Sequence, residues 1–181
     1  MVLFVNACVR AESRTKLIAE RFLKKLDEPY EELCLEKAGF PPVNEEFLAR
    51  RDRLISKREF DDRMFRFARQ FAAADEIVIA APFWDLSFPA SLKQYFEQIN
   101  VPGITFTYTS EGVPRGLCKA KRLTYITTAG GDFFPEEYGF GYVKALARNF
   151  YGISDVNLIK VLGLDIYGAD IEKIINAALD G

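Results

Sequence analysis

The feature that most constrains the fold of this chain is an alternation of short apolar runs with longer stretches of helical periodicity. The clearest runs, residues 2–5 and 77–81, are apolar at every position, as expected for strands buried on both faces. Similar or weaker runs cover residues 30–35, 122–127 and 156–162. Five strands that alternate with helices predict an α/β fold with a parallel sheet, right-handed crossovers and helices on both faces.

The helical stretches carry apolar side chains at spacings of three and four residues. The first should cover residues 13–26, with Ser13 as its N-terminal cap, and Gly152 stands where a later helix should end. Residues 36–56 are charged and contain proline, which predicts a loop with a short helix near residues 45–51. Further helices are predicted at residues 60–71, 89–98, 143–150 and 171–179.

Length and composition are typical of an ordinary globular domain. The 181 residues suit one domain spanning residues 1–181, and the 49% hydrophobic and 28% charged shares argue against disorder. A net charge of −2 gives no electrostatic reason to expect nucleic acid or an anionic membrane as a partner. No apolar run approaches the length of a membrane-spanning helix. We therefore expect neither a nucleic acid nor a membrane partner.

Two features of the composition limit the chemistry. The sequence has no histidine, which excludes a Ser-His-Asp triad, a Cys-His pair and any histidine-ligated metal site. The three cysteines, Cys8, Cys34 and Cys118, are far apart and form no C-x-x-C pattern. Reduced thiols and an N-terminus without a recognisable leader predict a cytoplasmic location, and no metal site is expected.

In such a sheet, ligands bind beyond the carboxyl ends of the strands. The first loop at that edge, residues 6–13, leads into a helix whose N-terminus carries the hydroxyls of Ser13 and Thr15. Hydroxyls and free N–H groups there favour a phosphate dianion, and Arg10 or Arg14 adds positive charge. Neither a dinucleotide fingerprint nor a P-loop is present. The alternative is that Ser13 only caps the helix and both arginines are solvated.

Two further loops lie at the same edge. Residues 82–89 contain three aromatic side chains and two prolines, which suits a flat, mostly apolar ligand. Trp84, the single tryptophan, is alternatively a core residue or an interface anchor. Residues 128–131 end in paired glycines, which let the backbone approach a ligand or simply form a tight turn. Each signal is weak alone, and their coincidence at three strand ends is more specific.

These loops resemble a known family. Residues 81–93, Ala-Pro-Phe-Trp-Asp-Leu-Ser-Phe-Pro-Ala-Ser-Leu-Lys, resemble the flavin-ring loop and following helix of the FMN-dependent NAD(P)H quinone reductases and azoreductases. Residues 103–121 then keep that family's G-x-T-F-x-Y-T…G-L…K order, and residues 127–131 fall at its glycine loop. Residues 152–156 resemble its G-I-x-D-V junction. The resemblance covers nearly the whole chain.

The resemblance implies a flavodoxin-like three-layer sandwich with a five-stranded parallel sheet in the order 2-1-3-4-5. It implies a homodimer that binds FMN, takes hydride from NADH or NADPH and passes it to quinones or azo compounds in two steps. No side chain acts as a nucleophile, because the flavin N5 carries the hydride. By resemblance, the residues that hold the FMN phosphate are Arg10, Ser13, Arg14 and Thr15. Those that line the isoalloxazine are Pro82, Phe83, Trp84, Asp85 and Leu86, with Thr128, Ala129, Gly130 and Gly131 at its pyrimidine end. Tyr108 and Phe133 are expected to wall the acceptor site, unless these aromatics only pack in the core.

The chain departs from this family at the flavin-ring loop. Many relatives carry Met-Tyr-Asn-Phe where this chain has Phe83-Trp84-Asp85-Leu86. A carboxylate at Asp85 would disfavour an anionic reduced flavin. Two other functions remain open from sequence: a flavodoxin-type electron carrier that does not use nicotinamide, and a flavin-dependent sensor with little turnover.

Overall fold

The architecture is a central parallel sheet between two layers of helices. The computed structural model describes residues 1–180. The strands, in chain order, are β1 (Val2–Asn6), β2 (Tyr30–Cys34), β3 (Glu76–Ala80), β4 (Phe106–Tyr108), β5 (Pro114–Gly116), β6 (Arg122–Thr128) and β7 (Asp155–Val161). The helices are α1 (Arg14–Leu26), α2 (Glu45–Ser56), α3 (Arg66–Ala73), α4 (Ala90–Ile99), α5 (Phe140–Leu146) and α6 (Ile171–Asp180).

The main sheet has the order β2-β1-β3-β6-β7, with every neighbouring pair parallel. Strands β4 and β5 pair only with each other, in a separate antiparallel hairpin. When that hairpin is set aside, the order is the predicted 2-1-3-4-5. The predicted fold class is therefore confirmed.

The central strands are apolar throughout because both of their faces are covered. Residues 2–5 of β1 and 77–80 of β3 are completely buried. Successive side chains point to opposite faces: Leu3 lies in the cluster with α3, α4 and α5, whereas Phe4 lies in the cluster with α1 and α6. Continuous apolar runs are the pattern that such doubly covered parallel strands require.

Several helix boundaries follow from capping residues that the sequence displays. The side chain of Ser13 accepts a hydrogen bond from the Lys16 N–H at the start of α1, as predicted. Gly152, at φ 75°, ends the helical segment that begins with α5, also as predicted. The last turns of that segment, Ala147–Tyr151, are π-helical, which no sequence pattern indicated.

Two helix predictions were wrong in their bounds. The helix expected near residues 45–51 continues to Ser56. The single helix expected over residues 60–71 does not form, because α3 begins only at Arg66. Asp62 accepts a hydrogen bond from the Met64 N–H at 2.8 Å and starts a short 3₁₀ turn instead. The apolar side chains of residues 60–71 pack in or against the core without one continuous helix, so their spacing did not require one.

The β4–β5 hairpin was not predicted from the residue patterns. It packs against the π-helical turn so closely that a Cβ at Gly116 would lie 2.2 Å from backbone atoms of Tyr151 and Gly152. Strands of three residues are too short to show a period in the sequence. Within residues 1–180, no helix has both the length and the apolar character needed to cross a membrane.

Candidate functional site

A cavity of about 370 Å³ lies at the carboxyl edge of the main sheet, bordered by the loops that follow β1, β3, β6 and β7. The predicted residues that line it are Arg10, Ser13, Arg14, Thr15, Pro82, Phe83, Trp84, Thr128, Ala129 and Gly130. Val9, Glu12, Leu164 and Asp165 also line it and were not predicted. Asp85, Leu86, Gly131, Tyr108 and Phe133 do not line it. The structure thus brings the three predicted loops together and adds a fourth.

The N-terminus of α1 forms one end of this cavity. No acidic side chain lies in the first turn of α1 itself, although Glu12, just before the helix, and Asp165 also line the cavity. The Ser13 oxygen accepts the capping hydrogen bond from the Lys16 N–H at 3.3 Å, which leaves the hydroxyl proton available to a ligand. Arg10 is exposed and makes no ion pair with any residue in the described part of the chain. This end of the cavity therefore suits a phosphate group.

Two side-chain contacts tie the first turn of α1 to the neighbouring loops. The Thr15 and Thr128 hydroxyl oxygens are 2.6 Å apart, with Thr15 almost completely buried. Arg14 donates through Nη1 to the Leu164 carbonyl at 2.9 Å and to Asp165 Oδ1 at 2.8 Å. These contacts join segments more than 110 residues apart and fix the relative positions of the cavity walls.

The aromatic loop is a tight two-residue hairpin. The Trp84 and Ser87 backbones exchange hydrogen bonds of 3.2 and 2.7 Å. Between them, Asp85 and Leu86 have φ values of 49° and 69°, a backbone that L-residues other than Asn and Asp rarely adopt. The turn directs Trp84 toward the cavity with 38% of its surface exposed, so it is not a core residue. Whether it also contacts a second chain stays a prediction.

A hydrogen bond and an aromatic contact hold the root of this loop. The Phe83 N–H donates to the Thr128 carbonyl at 3.0 Å, which continues the β3–β6 pairing beyond the strands. The Phe83 ring lies 4.8 Å from the Phe134 ring, at an interplanar angle of 55°. One wall of the cavity is therefore held by both β6 and the loop that follows it.

The paired glycines have different surroundings. At Gly130 a Cβ would lie 2.2 Å from Asp165 Oδ2, so a larger residue here would have to displace the Asp165 carboxylate. At Gly131 nothing lies within 4 Å of the Cβ position. A carboxylate of the same chain therefore lies beside Gly130, and the close approach of this loop to a ligand stays a prediction.

The cysteine in the loop after β1 is not activated as a nucleophile. Burial raises the pKa of the Cys8 thiol to about 11, so it is neutral at physiological pH. Across residues 1–180, no group of three or more Asp, Glu and Cys side chains is placed to hold a metal ion. What the cavity offers is a place to bind and orient a ligand.

The whole sequence matches a described protein family. The Flavodoxin_2 family model, described as a flavodoxin-like fold, matches residues 1–181. The chain belongs to this flavodoxin-like family. A family member from Lachnoclostridium phytofermentans, named FMN-dependent NADH:quinone oxidoreductase, is 37% identical over 180 residues, which cover 94% of this chain and 90% of that protein. A protein of the same name from Coprothermobacter proteolyticus is 36% identical over 190 residues, which cover 98% of this chain and 94% of that protein.

The flavodoxin-like fold is also shared with solved structures. The crystal structure of an azoreductase from Bacillus anthracis superimposes with a TM-score of 0.82 at 27% identity, and the match covers 99% of this chain and 94% of that one. Sequence and structure comparisons therefore place the chain in the family that its central loops resemble.

Proposed function

We propose that this chain is an FMN-dependent NAD(P)H oxidoreductase that reduces quinones or azo compounds, acting as a single domain of residues 1–181. The observation that carries the proposal is the cavity itself, which joins a helix N-terminus suited to phosphate to aromatic and glycine loops suited to a flat ring. The relatives' names, FMN-dependent NADH:quinone oxidoreductase and azoreductase, support the same reaction.

The residues present fit FMN. A cavity of about 370 Å³ is within the range of small-molecule sites. We propose that Arg10, Ser13 and Thr15 hold the phosphate at the N-terminus of α1. Further along the cavity, the predicted flavin-ring residues would contact the isoalloxazine: Pro82, Phe83, Trp84, Asp85, Leu86, Thr128, Ala129, Gly130 and Gly131. Asp85 and Leu86 would do so from the rim, since they do not line the cavity.

FMN, when bound, supplies the group that accepts and donates hydride. The chain's own residues bind and orient: the first turn of α1 fixes one end of the ligand, and the Trp84 hairpin covers another side. The absence of histidine from the sequence and the neutral Cys8 thiol agree with this division. We propose that NADH or NADPH and the acceptor occupy the mouth of the cavity in turn, which gives ping-pong kinetics.

We also infer a cytoplasmic homodimer. The three cysteines are free thiols, as expected in a reducing compartment. Large apolar side chains outside the cavity lining are exposed, among them Leu86 at 46%, Tyr108 at 53% and Phe133 at 75%. Such exposure is typical of an interface. We propose that a second copy covers them and that Tyr108 and Phe133 thereby wall the acceptor site.

Anaerobic and steady-state assays test the proposal. The purified protein should release FMN on heating, bleach when NADH is added, and oxidise NADH continuously with a soluble benzoquinone or an azo dye. Bound FMN without NADH turnover would favour a flavodoxin-type electron carrier, and release of FAD would contradict the assignment of the cofactor. Light scattering should give about twice the 20.6 kDa chain mass.

A further inference from the structure

We propose that Asp165 is a specificity-determining residue of the cofactor cavity, which cancels the charge of Arg14 and leaves Arg10 to select a phosphate monoester. The proposal rests on the proposed function, because it concerns the phosphate end of the same cavity. It also changes the role of Arg14 from a phosphate ligand to one half of a neutral pair.

Asp165 is held in place by backbone and side-chain contacts. Its N–H donates to the Gly130 carbonyl at 2.9 Å, and the neighbouring Leu164 N–H donates to the Ala129 carbonyl at 3.3 Å. Its Oδ2 lies 2.2 Å from the position that a Cβ would take at Gly130, so a side chain there would have to displace the carboxylate. These contacts hold the loop after β7 against residues 129–130, and they place the Asp165 carboxylate at the cavity wall.

The other carboxylate oxygen binds Arg14. Asp165 Oδ1 lies 2.8 Å from Arg14 Nη1, and the same nitrogen donates to the Leu164 carbonyl. Both hydrogen bonds of Arg14 are therefore made to the loop after β7. Since the pair is partly exposed, with side-chain exposures of 46% and 72%, solvent weakens its interaction energy, but its net charge is still zero.

The remaining charges of the cavity then decide what binds. Four charged residues line it: Arg10, Glu12, Arg14 and Asp165. With Arg14 and Asp165 paired, Arg10 is the one lining cation left beside the N-terminus of α1, and Glu12 is the one lining carboxylate left. One guanidinium and one helix terminus match one phosphate group. A second phosphate, as in the pyrophosphate of FAD, would find no further unpaired cation in the cavity lining, so the pair favours FMN over FAD.

Flavin titrations of the full chain, after removal of bound cofactor, test the proposal. Asp165→Asn frees the Arg14 charge, so the dissociation constant for FMN should fall about three- to tenfold, with a larger fall for FAD. Arg14→Gln leaves the carboxylate unopposed, and the FMN constant should rise by a similar factor. The double variant removes both charges and should return to within about twofold of the wild type. Riboflavin, which lacks the phosphate, should bind all four proteins within about twofold.

A matched ion pair provides the control. Arg122 and Asp155 are also 2.8 Å apart and partly exposed, but they lie at the opposite, amino-terminal end of β6 and β7. Asp155→Asn should leave both flavin constants unchanged.

Two results would overturn the assignment. If the double variant keeps the full loss of Arg14→Gln, Arg14 contacts the phosphate directly. If every variant weakens FMN and riboflavin equally, the pair only supports the fold. A wild-type chain that binds neither flavin would instead contradict the proposed function, which separates the two failures.

Discussion

Replacing Ser13 with alanine distinguishes two roles of this side chain, capping of α1 and binding of the FMN phosphate. Its oxygen caps α1 by accepting from the Lys16 N–H, and Ser13 also lines the cavity at the helix N-terminus, where its hydroxyl can donate to a ligand. The capping distance of 3.3 Å is long, so the loss of stability should lie near the lower end of the range for N-caps, about 0.5–1 kcal/mol. For a chain of this size, that lowers the melting temperature by about 1–4 °C.

The loss of phosphate binding should be larger. A hydrogen bond to a charged group is worth about 1.5–3 kcal/mol, so the dissociation constant for FMN should rise about 10- to 150-fold. Riboflavin offers no phosphate to Ser13, and its constant should change less than about threefold. Fluorescence titration of the two flavins against the same Ser13→Ala protein measures both values.

Asn44 provides a matched control. Its side chain caps α2 by accepting from the Phe47 N–H at 2.9 Å, a bond of the same kind as that of Ser13, and it lies outside the flavin cavity. Asn44→Ala should lower the melting temperature by at least as much and leave FMN affinity unchanged. Equal losses for FMN and riboflavin in Ser13→Ala, or an equal FMN loss in Asn44→Ala, would refute a phosphate-binding role for Ser13.

Three further predictions concern charge and protonation. Asp85→Asn should raise the flavin midpoint potential in a spectroelectrochemical titration without lowering stability, because Asn accepts the φ of 49° found there; an unchanged or lower midpoint would remove Asp85 from the flavin's surroundings. Lys119 and the chain N-terminus lower the pKa of Asp75 to about 2. The stability that this carboxylate contributes is therefore fully present above the ordinary aspartate pKa and is lost as the pH falls from there through the lowered pKa. Denaturant titrations of Asp75→Asn should accordingly show a flatter loss of stability between about pH 4 and pH 2 than the wild type. Alkylation at pH 8 should label Cys34 before Cys8, whose pKa burial raises to about 11; the reverse order, read by mass spectrometry, would contradict this.

The sheet and the first helix could be predicted because their causes are local. Residues 2–5 and 77–80 are completely buried, and an uninterrupted apolar run is the direct sequence mark of that environment. Ser13 and Gly152 act through their own backbone positions, as a cap and as a left-handed terminus. Such effects require no knowledge of distant parts of the chain.

The errors in the helix bounds arose where side chains bind the backbone of their own segment. Phe60 and Phe67 have helical spacing, but the backbone between them is not one helix. Asp62 accepts from the Met64 N–H, and Arg69 donates to the Phe60 and Asp62 carbonyls. The aromatic side chains reach the core without one continuous helix. Periodicity reports which side chains are buried, and it does not report the backbone path that buries them.

In the candidate site, the position of the loops follows from the sheet topology, whereas the contacts between their side chains do not. The sequence predicts ligand contacts in the loops after β1, β3 and β6 and none in the loop after β7, although β7 pairs with β6 and ends at the same sheet edge. Topology alone would have included that loop. Its pairing with Arg14 was beyond sequence reasoning, since 151 positions separate Arg14 from Asp165 and neither belongs to a recognisable pattern. From sequence, an arginine beside a phosphate-binding helix suggests a contact with an anionic ligand. The structure shows that Arg14 is already bound to the Asp165 carboxylate. The net charge of the cavity therefore has to be worked out from the contacts between its residues.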